Sequence, residues 1–150
     1  MPKMRLEIVT AERVVFSDDV DLVVAPGVEG ELGILPHHAP LLTILQPGEI
    51  RVVKEGKEQF MAVSGGFLEV LGNKVTILAD ACEYAEEIDL ERARQAMERA
   101  QKALATRQAD VDLAQALAAL RRAQVRMAVA RRRRAAGGPP PGAPLPGAGP

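Results

Sequence analysis

Apolar and polar residues alternate with a period of two along the first half of the chain, then switch to a helical period. Met4, Leu6 and Ile8 alternate with Arg5 and Glu7, the pattern of a strand with one buried face. Runs rich in β-branched residues follow at Asp21 to Ala25, Ile50 to Lys54 and Lys74 to Ala79. Turn signals punctuate them at Pro26-Gly27, Pro47-Gly48, Glu55-Gly56, Gly65-Gly66 and Gly72-Asn73. Short strands between regular turns, with no helical pattern among them, predict an all-β sandwich or barrel.

The texture changes near Glu83. Glu86, Glu87 and Asp89 place negative charge where a helix N-terminus favours it. From there Ala93, Met97 (or Ala96), Ala100 and Leu104 recur at helical spacing. Arg94 with Glu98, and Glu98 with Lys102, form opposite-charge pairs one turn apart on an exposed face. A break at Thr106 to Asp110 precedes a second helix, where Asp112 and Gln115 resemble a capping box. Leu113, Leu117, Leu120 and Met127 predict its apolar stripe, widened by Ala116 and Ala123. Arg131, Arg132, Arg133 and Arg134 fall near its C-terminus, where cations suit the helix dipole, and Gly137-Gly138-Pro139 stop it. So short a break predicts an antiparallel hairpin.

The expected organisation is a β domain over 1–86, a helical hairpin over 87–136 and a tail over 137–150. The tail holds only Pro, Gly, Ala and one Leu, so it has too little apolar surface to offset the entropy of ordering and is expected to be flexible. The helical stripes are mostly alanine. Alanine favours helix but buries little area, so the hairpin is expected to be helical yet loosely held, as a movable element is.

Charge sharpens this division. Through Glu87 there are seven Lys/Arg against fifteen Asp/Glu, a net −8; from Ile88 onward there are twelve against five, a net +7. The basic part either meets an acidic partner or folds against the acidic one. Aromatics are 3% of the chain and Trp is absent, which argues against a stacking platform for single-stranded nucleic acid. Cys82 is the single cysteine, so neither an internal disulfide nor a thiolate cluster is expected. No apolar run has the length of a membrane helix and no signal-peptide core is seen near Met1, so membrane association is expected only through a partner.

Catalytic signatures are missing: there is no P-loop, no His/Cys metal cluster and no Gly-x-Ser-x-Gly elbow. His37 and His38 share one loop and read as surface contact or loop packing. The arginines are more suggestive. Asp89, Arg92 and Arg99 fall on one broad face of the first helix, and Arg122 and Arg126 lie one turn apart on the second. In an antiparallel hairpin the two arginine pairs converge toward a polyanion, and forked guanidinium donors bind phosphate bidentately. Spacing alone favours solvated helix faces with Asp89 as an N-cap.

Several motifs in the same order resemble the epsilon subunit of bacterial F-type ATP synthases. They are Gly30-Glu31-Leu32-Gly33-Ile34-Leu35-Pro36-His37-His38-Ala39-Pro40-Leu41-Leu42, Pro47-Gly48-Glu49-Ile50-Arg51, Ser64-Gly65-Gly66-Phe67-Leu68-Glu69-Val70 and Val75-Thr76-Ile77-Leu78-Ala79-Asp80. The second half adds Asp110-Val111-Asp112-Leu113-Ala114-Gln115-Ala116. The resemblance spans residues 4 to about 130 and implies a β plus α fold: an N-terminal ten-stranded β-sandwich followed by a C-terminal antiparallel two-helix hairpin.

It further implies a non-catalytic central-stalk rotor subunit that couples proton translocation to ATP synthesis. The implied partners are the gamma subunit, the c-ring and, in an inhibitory state, the beta and alpha subunits. The implied place is the cytoplasmic face of the bacterial plasma membrane, peripheral and within the complex. An extended hairpin is expected to inhibit ATP hydrolysis and a compact one to permit turnover. Ile88-Asp89-Leu90-Glu91-Arg92-Ala93 matches the motif Ile/Leu-Asp-x-x-Arg-Ala of family members that bind ATP as a regulatory ligand; no cofactor is otherwise required. The resemblance thereby implies a nucleotide site of Glu83, Ile88, Asp89, Arg92, Ala93, Arg99, Arg122 and Arg126. It implies partner contacts at Glu31 and His38, and at Arg121 and Arg131 to Arg134. Other readings are the same rotor subunit without ATP sensing, and an adaptor whose basic helix binds nucleic acid or anionic membrane; the acidic first half counts against the adaptor.

Overall fold

The computed structural model describes residues 2–106 and 113–135. The chain divides into two compact units, one from Met1 to Tyr84 and one beginning at Ala85.

The first unit holds ten strands: β1 (Met4–Val9), β2 (Val14–Val20), β3 (Leu22–Gly27), β4 (Gly30–Ile34), β5 (Leu41–Leu45), β6 (Gly48–Lys54), β7 (Lys57–Val63), β8 (Gly66–Leu71), β9 (Lys74–Ala79) and β10 (Cys82–Tyr84). Their order is β10-β7-β6-β3-β5-β8-β9-β1-β2, with β4 added beside β3. The join between halves is thin: β3 pairs with β6 through Leu22, Val23 and Val24 but meets β5 only at Gly27 opposite Leu45. The sheet turns over at this join, and the two halves enclose one aliphatic core. Ile50, Val52, Met61 and Val63 line it from one half; Leu6, Ile8, Leu68, Val70, Val75 and Ile77 line it from the other. The alternation predicted for β1 is observed, with Met4, Leu6 and Ile8 all buried.

One turn signal marks something else. Pro26 and Gly27 are buried inside β3, and the turn follows at Val28 and Glu29. Pro26 stands beyond the stretch of β3 that pairs with β6, so its missing N–H removes no bond from that ladder. Its carbonyl accepts from the Gln46 amide at 2.9 Å. Gly27 is needed for close approach, because a Cβ there would sit 2.8 Å from the Gly30 carbonyl oxygen.

The second unit begins with a 3-10 turn at Ala85–Glu87, followed by α1 (Leu90–Thr106) and α2 (Leu113–Ala135). The helices pack on each other, and α2 also meets the 3-10 turn. Buried Ala93 and Ala100 on α1, and Ala116, Ala123 and Ala130 on α2, recur every seventh residue, so small side chains line a continuous seam. Met127 and Val129 are also buried. The predicted α2 stripe is corrected in part: Leu113 is 57% and Leu117 51% exposed. At about 100° per residue they project well to one side of the alanine seam. The expected capping box at Asp112 and the tail lie outside the described residues.

Candidate functional site

The arginine cluster is set up by how α1 begins. Asp89 is its N-cap: Oδ1 accepts from the Arg92 amide at 3.1 Å, and its carbonyl oxygen accepts from the Ala93 amide at 2.9 Å. The side-chain bond satisfies one of the orphan N–H groups of the first turn. Ile88, just before the cap, is buried, as is Ala93 just after it. These two residues of the predicted nucleotide site are therefore packed side chains, and the small Ala93 side chain lets the helices approach closely.

The charged residues of α1 sort into two flanks. On one, the Arg94 Nε donates to Glu91 Oε2 at 3.1 Å, and its two terminal nitrogens donate to Glu91 Oε1 and Glu98 Oε1. That guanidinium holds the Glu91 carboxyl below the ordinary carboxylate range, chiefly through the hydrogen bond. On the other flank stand Arg92 and Arg99, both exposed and, among the described residues, in no ion pair with a carboxylate.

Helical geometry brings four arginines to one side of the hairpin. At about 100° per residue, Arg92 and Arg99 fall about 100° and 120° behind Ala93 in the sense of chain rotation. By the same count Arg122 and Arg126 fall about 100° and 60° behind Ala123. The helices run in opposite directions with their seams facing, so equal rotational offsets land on the same side. Arg122 is exposed and likewise lacks a carboxylate partner among the described residues, whereas Arg126 is half-buried and engaged in an interaction of its own.

The remaining predicted residues are placed elsewhere. Glu83 belongs to the first unit, in β10 opposite Ala62 of β7. Arg121 is exposed on α2, about 100° around the helix from Arg122, and Arg131 is exposed in the last turns. The α2 backbone extends through Arg132, Arg133 and Arg134, whose side chains lie outside the described residues. Among the described residues no group of three His, Cys, Asp or Glu side chains stands ready to hold a metal ion, and no helix is long and apolar enough to cross a membrane.

On the sandwich, Glu31 is exposed opposite Pro26, and His38 is exposed just after the turn that follows β4. The His38 Nδ1 lies 2.7 Å from the Ala39 carbonyl oxygen. A carbonyl only accepts, so in this hydrogen bond Nδ1 is the donor.

The sequence reading overlooked an apolar row on the outer sheet face. Ile44, Phe67 and Leu78 are direct cross-strand neighbours on β5, β8 and β9 and are 52%, 52% and 55% exposed. Leu42 extends the row along β5. A signal was available in Leu41 to Leu45 and in Val75 to Leu78, which are apolar on both faces where a half-solvated strand alternates. Contiguous apolar surface of this kind marks an interaction site.

An acidic β-sandwich with an uncovered apolar face, joined to a basic helical hairpin, defines a two-unit binding protein. Two family models account for both units: the ATP synthase delta/epsilon chain β-sandwich domain matches residues 3–85, and the delta/epsilon chain long α-helix domain matches residues 86–131. The chain belongs to the ATP synthase delta/epsilon family, as a non-catalytic subunit.

Among curated relatives, the ATP synthase epsilon chain of Herpetosiphon aurantiacus is 60% identical over 131 residues, covering 87% of this chain and 96% of its own. That of Dehalococcoides mccartyi is 54% identical over 135 residues, covering 89% and 96%. Among solved structures, a chain of the Euglena gracilis mitochondrial ATP synthase OSCP/F1/c-ring assembly matches with a TM-score of 0.65 at 25% identity, over 91% of this chain and 82% of that one.

Proposed function

We propose that this chain is the epsilon subunit of a bacterial F-type ATP synthase, a rotor component of the central stalk whose hairpin binds ATP as a regulatory ligand. The regulatory part is supported by the helical periodicity that turns Arg92, Arg99, Arg122 and Arg126 toward one side of an alanine-lined hairpin. Three of these guanidiniums are not neutralised by any described carboxylate.

The sandwich couples rotation by gripping the gamma subunit through the row Ile44, Phe67 and Leu78, and it meets the c-ring through the loops carrying Glu31 and His38. The subunit is peripheral, at the cytoplasmic face of the plasma membrane, and is held there by the complex. Arg92, Arg99, Arg122 and Arg126 hold the phosphates, and Asp89 fixes the first turn that aims Arg92. ATP is bound without hydrolysis, since phosphoryl transfer needs a positioned water and charge-stabilising groups in line with it, and no residue is assigned to that role. At a hundred times its dissociation constant, a ligand stabilises the state it binds by about 2.7 kcal/mol. An alanine seam buries little area, so a bias of that size shifts the balance toward the compact hairpin. When ATP is scarce the hairpin extends, and Arg121 with Arg131 to Arg134 meets the beta and alpha subunits and inhibits hydrolysis.

Calorimetric titration of the full chain tests the ligand. Wild type is expected to bind ATP saturably and the double variant Arg92→Ala, Arg126→Ala to lose binding. The absence of heat at millimolar ATP, or equal affinity in the double variant, rejects the site. The same rotor subunit without ATP sensing is the competing reading, favoured by the commitment of Asp89 to capping and of Ile88 to packing; it predicts no heat.

A further inference from the structure

We infer that Asn73 is a positioning residue for the partner contact at His38, holding the turn that carries this histidine in its docking geometry before the partner arrives. The inference rests on the reading of His38 as a c-ring contact and adds the group that presents it.

The turn runs from Leu35 to His38. The His38 amide donates to the Leu35 carbonyl at 3.2 Å, Pro36 takes the second place and His37 the third, with a φ of 66°. Proline followed by a positive φ is the type II arrangement, whose third place ordinarily calls for glycine or asparagine. A histidine there is held at a conformational disadvantage, so something outside the turn must fix it.

Asn73 is that fixture. Its Oδ1 accepts from the His37 amide at 2.8 Å, across 36 positions of sequence. Its Nδ2 donates to the Lys3 carbonyl at 2.9 Å, and its own carbonyl accepts from the Arg5 amide at 3.1 Å. One side-chain amide thus ties the β4–β5 turn and the tip of the β8–β9 hairpin to the start of β1. Asn73 also meets the demand of its own hairpin, where Gly72 and Asn73 have φ values of 57° and 60° between paired Leu71 and Lys74; these positive values suit a two-residue primed turn.

The two tips together present exposed surface: Leu35 and His38 flank the first turn, and Leu71 precedes the second. A loop fixed before binding loses less entropy on docking than one ordered by its partner. The β8–β9 tip therefore contributes to the interface through the geometry it imposes on its neighbour.

The test uses the full chain in three variants. Asn73→Gly keeps the positive φ and removes the amide; Asn73→Asp keeps an acceptor for the His37 amide; His38→Ala removes the contact itself. Two quantities are read: hydrogen exchange at the His37 amide, and the subunit concentration giving half-maximal reconstitution of ATP synthase depleted of this subunit. In Asn73→Gly, His37 exchange is expected to rise about tenfold and the midpoint on the order of threefold, with β8 and β9 amides unchanged. In Asn73→Asp, His37 exchange stays near wild type and the midpoint follows it. Unchanged His37 exchange in Asn73→Gly overturns the inference. A shifted midpoint in His38→Ala with none in Asn73→Gly overturns it while leaving the His38 contact intact. A wild-type midpoint in His38→Ala rejects the contact, and the inference with it.

Discussion

Single residues decide where this fold's elements begin and how close they come. Asp89 is the plainest case, since its carboxylate caps α1 by accepting from the Arg92 amide. Asp89→Ala is expected to cost the hairpin about 1 kcal/mol, with Asp89→Ser recovering most of it. The check is faster exchange of α1 amides in the alanine variant alone, with sandwich amides unmoved. That role was legible in the sequence, because a capping aspartate before a periodic run is a local signal. Gly66 was read only as a turn glycine. Its harder requirement is tertiary: a Cβ there would lie 2.1 Å from the Leu78 carbonyl oxygen, and no local pattern reveals a strand passing so near. Asn73 was likewise read as a turn former, because its bonds to His37 and Lys3 join segments far apart in sequence.

At the scale of elements, the strands were read well wherever one face is buried. Met4, Leu6 and Ile8 alternate because water lies on only one side of β1, and Lys74 to Ala79 was bounded correctly by its turns. The α2 stripe was read less well. Leucine outweighs alanine in any hydrophobic pattern, so Leu113 and Leu117 drew the stripe toward themselves. Closely packed helices instead put their smallest residues at the seam, at Ala116, Ala123 and Ala130.

Charges at the strand edges give a pH signature. The Lys54 ammonium, followed by the Asp19 amide, holds the Asp18 carboxyl below its ordinary value; the Glu55 amide, followed by the Lys3 ammonium, does the same for Asp21. A carboxyl whose pKa is lowered by folding lends stability that is complete above its unfolded pKa and is lost as pH falls through the lowered one. The resistance of the sandwich to urea is therefore expected to fall on acidification across that window. The double variant Asp18→Asn, Asp21→Asn should be weaker at neutral pH with a shallower acid slope. Parallel slopes would remove these two carboxyls from the account.

The whole molecule places opposite net charge on its two units. The acidic sandwich has the larger aliphatic core and the exposed row Ile44, Phe67 and Leu78; the basic hairpin is seamed with alanine, and helical periodicity turns Arg92, Arg99, Arg122 and Arg126 toward one side of it. The division into units was visible in the charge count and in the change of period near Glu83. The apolar row was not, because reading a strand as half-buried assumes that its other face is polar. Hydrogen exchange of the full chain with and without ATP tests the central claim most directly. The account predicts slowed exchange across Leu90–Thr106 and Leu113–Ala135 on adding ATP, with the strands unchanged and the effect absent in the Arg92→Ala, Arg126→Ala variant. Exchange in the two helices that ignores ATP, or protection that persists in that variant, would contradict it.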